Sequence, residues 1–125
     1  MRSSADSETA LIIEKHGDIL VVIAAHSLER MPPALAEGAA ALILEPLREA
    51  STPLLVIDLG NVGSFGSPFL AMLIRCWKTI SERGGNMALS GVSADIRQLL
   101  KITRFDTLWP IYNSRREALD ALNSD

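Results

Sequence analysis

Leu54-Leu55-Val56-Ile57-Asp58-Leu59-Gly60-Asn61-Val62-Gly63-Ser64-Phe65-Gly66-Ser67-Pro68-Phe69-Leu70-Ala71-Met72-Leu73 decides the fold. Leu54 to Leu59 is a near-continuous apolar run bearing one carboxylate, the pattern of a central parallel strand buried on both faces. A loop follows. Ser67 then stands immediately before Pro68, a pairing that opens a helix with a side-chain oxygen as N-cap and a proline at the first helical position, where no amide hydrogen is needed. This reading puts the Ser67 hydroxyl where helix amides converge.

Outward from that unit the chain alternates. Leu11 to Glu14 and Ile19 to Ala24 flank His16-Gly17-Asp18 and read as an antiparallel hairpin, with the less apolar first strand at a sheet edge. Pro33 to Ala50 reads as a helix with Leu35, Leu42, Ile43 and Leu47 near one face, kinked or ended near Glu45 by Pro46. After the central unit come a helix over Ser67 to Arg83, a strand Asn86 to Ser90, a helix Ser93 to Ile102, a strand Leu108 to Tyr112 and a helix Asn113 to Leu122. Strands separated by helices imply parallel pairing with right-handed crossovers. Gly84-Gly85 fits a left-handed helix C-cap, Ser93 and Asn113 fit N-caps, and Ser114 to Glu117 fits a capping box displaced by one residue.

Composition narrows the function classes. A chain of 125 residues is the size of one domain, with 48% hydrophobic and 22% charged residues to build an ordinary core. Flexible ends are expected at Met1 to Ser7 and beyond Leu122, around a folded domain over 8–122. A net charge of −3 argues against direct nucleic-acid binding, which uses clustered lysine and arginine; Arg115-Arg116 is too short a run to reverse that. Cys76 is the only cysteine, so a disulfide framework and a Cys-based zinc site are excluded and a cytoplasmic setting is favoured. No apolar leader and no run long enough for direct membrane insertion is seen.

Few residues carry chemistry. Ser67 has two open readings: a cap whose loss costs about 1 kcal/mol, or a phosphorylation site whose phosphate would meet oriented amides at the positive helix end. Asp58 reads as a structural carboxylate accepting loop amides rather than as a general base. His26, Asp58 and Ser67 do not make a hydrolase triad, since no Gly-x-Ser-x-Gly elbow surrounds Ser67 and no spacing brings His26 to it. Neither His16 nor His26 has a partner at metal-ligand spacing. No phosphate-binding glycine loop exists, so no cofactor or nucleotide is expected. The helix after Ser67 carries two apolar stripes. Leu70, Leu73, Ile74 and Trp77 read as core, while Phe69, Met72, Cys76 and Ile80 read either as a wider buried face or as an exposed patch for a partner.

Asp58-Leu59, Val62, Phe65, Ser67 and Leu70, followed by Arg83 to Val92, Ile96 to Leu100, Phe105 to Tyr112 and Glu117 to Leu119, resemble the STAS family of sulfate-transporter and anti-sigma-factor-antagonist domains. Three positions depart from its pattern: Gly66 replaces the usual acid, Pro68 the small hydroxyl residue and Phe69 the usual glycine. The resemblance implies a single α/β domain with a mixed five-stranded sheet, about four helices and a first strand antiparallel at the edge. It also implies a cytoplasmic, non-enzymatic protein–protein module in partner switching. Such a module binds an anti-sigma factor that is also a serine kinase, is phosphorylated on a loop serine, and is restored by a phosphatase, so regulating transcription. Carried over by position, Ser67 would be the phospho-acceptor. Ser64, Phe65, Gly66, Pro68, Phe69 and Met72 would line the contact, with His26 and Ser27 of the loop Ala25 to Arg30 beside it. Without the acid before the serine, either the phosphorylation cycle is degenerate or the chain is an unmodified binding module. Two alternatives are a STAS subunit acting on the ATPase of a lipid-transporting ABC system and a small α/β enzyme using Asp58 and Ser67. A homodimer stays open.

Overall fold

In the computed structural model, which describes residues 11–123, five strands form one sheet in the order β1-β2-β3-β4-β5. The segment Met1 to Ser7, expected to be flexible, lies outside the described residues. The hairpin is β1 (Leu11–His16) and β2 (Ile19–Ala24), antiparallel and joined by Gly17 at φ +65°, a left-handed position that glycine takes without steric cost. β3 (Leu54–Asp58), β4 (Asn86–Ser90) and β5 (Ile111–Tyr112) then add in parallel. The helices are α1 (Ala36–Leu44), α2 (Ser67–Glu82), α3 (Ala94–Thr103) and α4 (Arg115–Asn123). The mixed five-stranded sheet with four helices is the expected single α/β domain.

Period-two alternation divides β2 and β3 between two cores. Leu20, Val22, Leu55, Ile57, Met87 and Leu89 point to the large core under α1, α2 and α3. Ile19, Val21 and Val56 point the other way, to a small core closed by Ala118, Leu119 and Leu122 of α4. Both faces of β2 and β3 are therefore buried, which is why their sequences are nearly continuous apolar runs.

The second stripe of α2 is core. Phe69, Met72, Cys76 and Ile80 are all buried, together with Leu73, whereas Leu70, Ile74 and Trp77 are only half-buried. Residues 69, 72, 73, 76 and 80 themselves follow helical spacing, and α1 packs across them. Burial pushes the Cys76 thiol up to about 12 against the opposing pull of Arg75.

Other boundaries moved for identifiable reasons. The segment Pro33 to Ala50 is a helix only over Ala36–Leu44, between 3-10 turns at Pro33–Leu35 and Glu45–Leu47, because Pro46 supplies no amide hydrogen to continue the ladder. Its buried residues are Ala40, Ile43 and Leu47, while Leu35 and Leu42 face outward. β5 is two residues long instead of Leu108 to Tyr112, since Phe105–Thr107 makes a 3-10 turn and Trp109 turns into the core, its ring stacked on Phe105 at 5.8 Å. Gly84 caps α2 at φ +75°, with amides of 84 and 85 returning to the carbonyls of Ser81 and Ile80. A Cβ on Gly85 would lie 2.0 Å from the Pro53 carbonyl oxygen, so glycine alone allows that approach. The Arg83 guanidinium beside this cap donates to the carbonyls of Leu47, Arg48 and Ala50, tying the end of α2 to the turn after α1.

Candidate functional site

The loop from Leu59 to Gly66 leaves the C-terminal edge of the sheet, where open α/β folds gather ligands and partners. Every third residue of the loop is an anchor. Leu59, Val62 and Phe65 are buried, and the Phe65 ring packs on Phe69 of α2 with centroids 4.8 Å apart and planes tilted by 50°. Gly60, Asn61, Gly63 and Ser64 between them, and Gly66 and Ser67 just beyond, are left exposed.

One residue of the loop, Gly63, is held from both sides. The Gly63 amide donates to Glu29 Oε2 at 2.6 Å, and the Gly63 carbonyl accepts from Ser93 Oγ at 2.6 Å. The same Ser93 oxygen accepts the Ile96 amide at 3.1 Å and so caps α3. Glu29 also faces His26 Nδ1 at 3.1 Å. The 3-10 turn His26–Arg30, the serine loop and the start of α3 thereby form one connected ridge, with Leu28 as the buried anchor of the turn and His26 and Ser27 exposed on it.

Ser67 is the first residue of α2, and Gly66, in extended backbone, occupies the N-cap position. The N-cap assignment of Ser67 is thus corrected by one residue. The Leu70 amide returns to the Gly66 carbonyl at 3.2 Å, and no side chain caps the helix. With Gly66 bearing no side chain and Pro68 no amide hydrogen, the Ser67 hydroxyl is exposed at an uncapped helix start with no acidic residue in its first turn. Asn113 is corrected likewise: Ser114 Oγ caps α4 by accepting the Glu117 amide, and Glu117 Oε1 accepts the Asn113 amide at 3.1 Å, the displaced capping box.

The expected contact residues therefore divide in two. Ser64, Gly66, Ser67, His26 and Ser27 are exposed around the ridge, and Pro68 is half-buried at its edge. Phe65, Phe69 and Met72 are buried, because their apolar surface is spent fixing the loop to α2. Phe65, Phe69 and Met72 as members of a contact surface are corrected by that burial.

Asp58 is engaged structurally. Its Oδ1 accepts the Gly60 amide at 2.8 Å, and its Oδ2 accepts from Arg115 Nε at 2.8 Å, tying the end of β3 to the start of α4. With His26 against Glu29 and Asp58 against Arg115, the structure does not assemble His26, Asp58 and Ser67 into a relay. Among the described residues no group of three or more His, Cys, Asp or Glu is arranged to hold a metal ion, and no helix is long and apolar enough to cross a membrane. Glu29, Arg115 and the second bond of Ser93 were not legible in the sequence. Glu29 lies 34 residues from Gly63, and no periodicity connects the two.

Solved structures share this fold. An anti-sigma-factor antagonist (STAS) domain protein from Planctomyces limnophilus is 31% identical, with a TM-score of 0.80 over 91% of this chain and 98% of that one. An anti-sigma factor antagonist from Mycobacterium paratuberculosis is 26% identical, with a TM-score of 0.73 over 91% and 93%. The anti-sigma factor antagonist SpoIIAA in its unphosphorylated form shares the fold at a TM-score of 0.76 and 14% identity, over 93% and 98%. No curated protein matches the sequence. The STAS domain model matches residues 4–118, which spans the sheet, the serine loop and the start of α4. With the hairpin edge, the parallel strands and the loop before α2 all in their expected order, the chain belongs to the STAS domain family.

Proposed function

We propose that this protein is a non-enzymatic partner-switching module of the anti-sigma-factor-antagonist type, which binds an anti-sigma factor that is also a serine kinase and is controlled by phosphorylation at Ser67. The observation that carries this reading is the Ser67 hydroxyl, exposed and unbonded at the uncapped start of α2. A kinase needs a free hydroxyl. A serine committed to capping would first have to surrender its hydrogen bond.

The surroundings support both states of such a switch. The Glu29–Gly63–Ser93 clamp fixes the loop in advance, so a partner meets an ordered ridge and less conformational entropy is lost on binding. A phosphate on Ser67 would add nearly two negative charges beside first-turn amides and the positive helix end, which accept an anion without rearrangement. The same charge, placed in the contact, would repel or desolvate against a partner fitted to a neutral serine. Gly66 in place of an acid leaves the unmodified ridge uncharged at that point, so phosphate would be its main charge signal. Ser64, Gly66, Ser67, Pro68, His26 and Ser27 make the proposed contact surface, and a phosphatase would close the cycle.

Incubation with the cognate kinase and mapping of the modified residue tests the reading. Label is expected on Ser67 and absent from the Ser67→Ala variant; label on Ser64 or Ser93 with Ser67 unmodified would overturn it. Ser67→Asp should weaken partner binding by about 1–3 kcal/mol, roughly 5- to 150-fold. Unchanged affinity would refute the switch.

A further inference from the structure

The last turn of α3 breaks two ordinary preferences. Arg104, its C-terminal cap, stands at φ +66° and is the only non-glycine residue with positive φ among the described residues. Glycine takes this left-handed cap without steric cost, whereas a residue with a Cβ is strained in it. Two positions earlier, Ile102 is 71% exposed, the most exposed large hydrophobic residue of those described. A β-branched residue is also a poorer helix former than the lysine or glutamine that suits an open face. Nothing within the chain uses either side chain. The Arg104 amide returns to the Lys101 carbonyl and its own carbonyl accepts from Thr107, but these are backbone functions that glycine would supply equally. Its guanidinium makes no ion pair or side-chain hydrogen bond among the described residues, and neither do the side chains of Arg97 and Lys101. Arg48, Arg75, Arg83 and Arg115, by contrast, are all engaged by carboxylates or carbonyls.

We infer that the C-terminal end of α3 is a second docking surface, which takes a protein segment bearing carboxylates around one apolar side chain. The charges select the occupant. In a chain of net charge −3, the stretch from Ala94 to Arg104 sets three exposed and unpaired cations against the single acid Asp95. Arg97 lies one turn before Lys101, and Lys101 and Ile102 lie on the face of α3 opposite buried Ile96 and Leu100, so cations border the apolar anchor. Three cations, with Asp95 and Asp106 exposed near them, are too few for a phosphate backbone. A membrane-surface helix needs a broad apolar face, and the apolar face of α3 is already committed to the core. An isolated aliphatic side chain beside unpaired cations suits a protein contact, with the arginine held in a strained cap because its guanidinium is used outside the chain.

This surface goes beyond the serine-loop switch and does not depend on it. The ten residues of α3 hold it about 15 Å from Ser93, which clamps the loop. The probe is a synthetic helical peptide with glutamates around a leucine stripe, titrated into the isotope-labelled full chain and followed by amide NMR, beside a twin peptide with lysine in place of glutamate. Shifts are expected at Arg97, Lys101, Ile102 and Arg104, weakening with added salt, and the lysine twin should leave them unmoved. Arg104→Gly should weaken binding about fivefold or more while the chain unfolds at higher urea, a combination that a purely structural arginine would not give. Ile102→Ser should weaken binding with circular dichroism unchanged. Arg116→Glu, on α4 across the sheet, and Ser67→Asp should both leave the affinity unaltered, so the failure of this surface and the failure of the switch are read separately. Absence of binding, equal binding of the lysine twin, shifts that spare α3, an Arg104→Gly chain that binds like the parent or unfolds at lower urea, or preference for phosphatidylglycerol vesicles or duplex DNA over the acidic peptide would overturn the inference.

Discussion

Phe69→Ala is the perturbation that most directly tests how this serine loop is built. The Phe69 ring is fully buried, packs at 4.8 Å on Phe65, and sits among Met72, Leu73 and Cys76. Truncating a buried phenylalanine costs about 3–5 kcal/mol, from lost transfer energy and the cavity left behind, and the ring pair places this one toward the upper end. A domain of this size has about 5–15 kcal/mol in total, so the variant should keep its fold with much of its margin gone. Urea unfolding followed by tryptophan fluorescence reads this directly, since Trp109 is buried and Trp77 half-buried. With a slope of about 2 kcal/mol/M, a loss of 4 kcal/mol moves the midpoint by about 2 M. Phe69→Leu, which keeps most of the volume, should lose less than about 1.5 kcal/mol. A midpoint shift under about 0.5 M for Phe69→Ala, with partner binding lost, would refute the burial argument and return Phe69 to the contact surface.

Ser67→Ala should leave stability within about 0.5 kcal/mol in the same unfolding assay, because its hydroxyl holds no bond, whereas Ser93→Ala should cost about 1–2 kcal/mol by losing both the α3 cap and the hold on Gly63. The Cys76 thiol, pushed from 9.0 to about 12 by burial, should be inert to thiol reagents in the native protein and react on unfolding. Its raised value means that between those two pH limits the folded chain holds a proton the unfolded chain has released. Stability should therefore fall as pH rises above about 9, by up to about 1.4 kcal/mol per pH unit from this group, and Cys76→Ala should flatten that slope. Gly85→Ala should cost at least about 2 kcal/mol, seen as a lowered melting temperature, because the new Cβ meets the Pro53 carbonyl.

Most of the sheet was legible because both of its signals are local. Leu54 to Leu59 and Ile19 to Ala24 read as doubly buried strands from their own composition, and Asn86–Ser90 matches its expected bounds. Gly84-Gly85 and Pro46 marked helix ends through backbone chemistry that needs no tertiary partner. The failures fall where neighbours decide. Leu108 to Tyr112 carries a strand's composition, yet Trp109 is worth more turned into the core against Phe105 than standing on an edge. Ser67-Pro68 fits either of two cap registers, one residue apart, and the packing of Phe65 on Phe69 selects the one that frees the serine.

Sequence by itself determined the α/β alternation, the edge position of β1 and the loop that carries Ser67, because each depends on residues close in the chain. Tertiary structure alone decided which stripe of α2 is core, since residues 69, 72, 73, 76 and 80 and residues 70, 73, 74 and 77 share the same periodicity, and only the packing of α1 and the sheet distinguishes them. It alone joined Glu29 and Ser93 to Gly63, and Arg115 to Asp58, across separations of 34, 30 and 57 residues. A hydrogen bond between distant residues leaves no spacing in the sequence, because the chain between them is free to take any length that the fold can close.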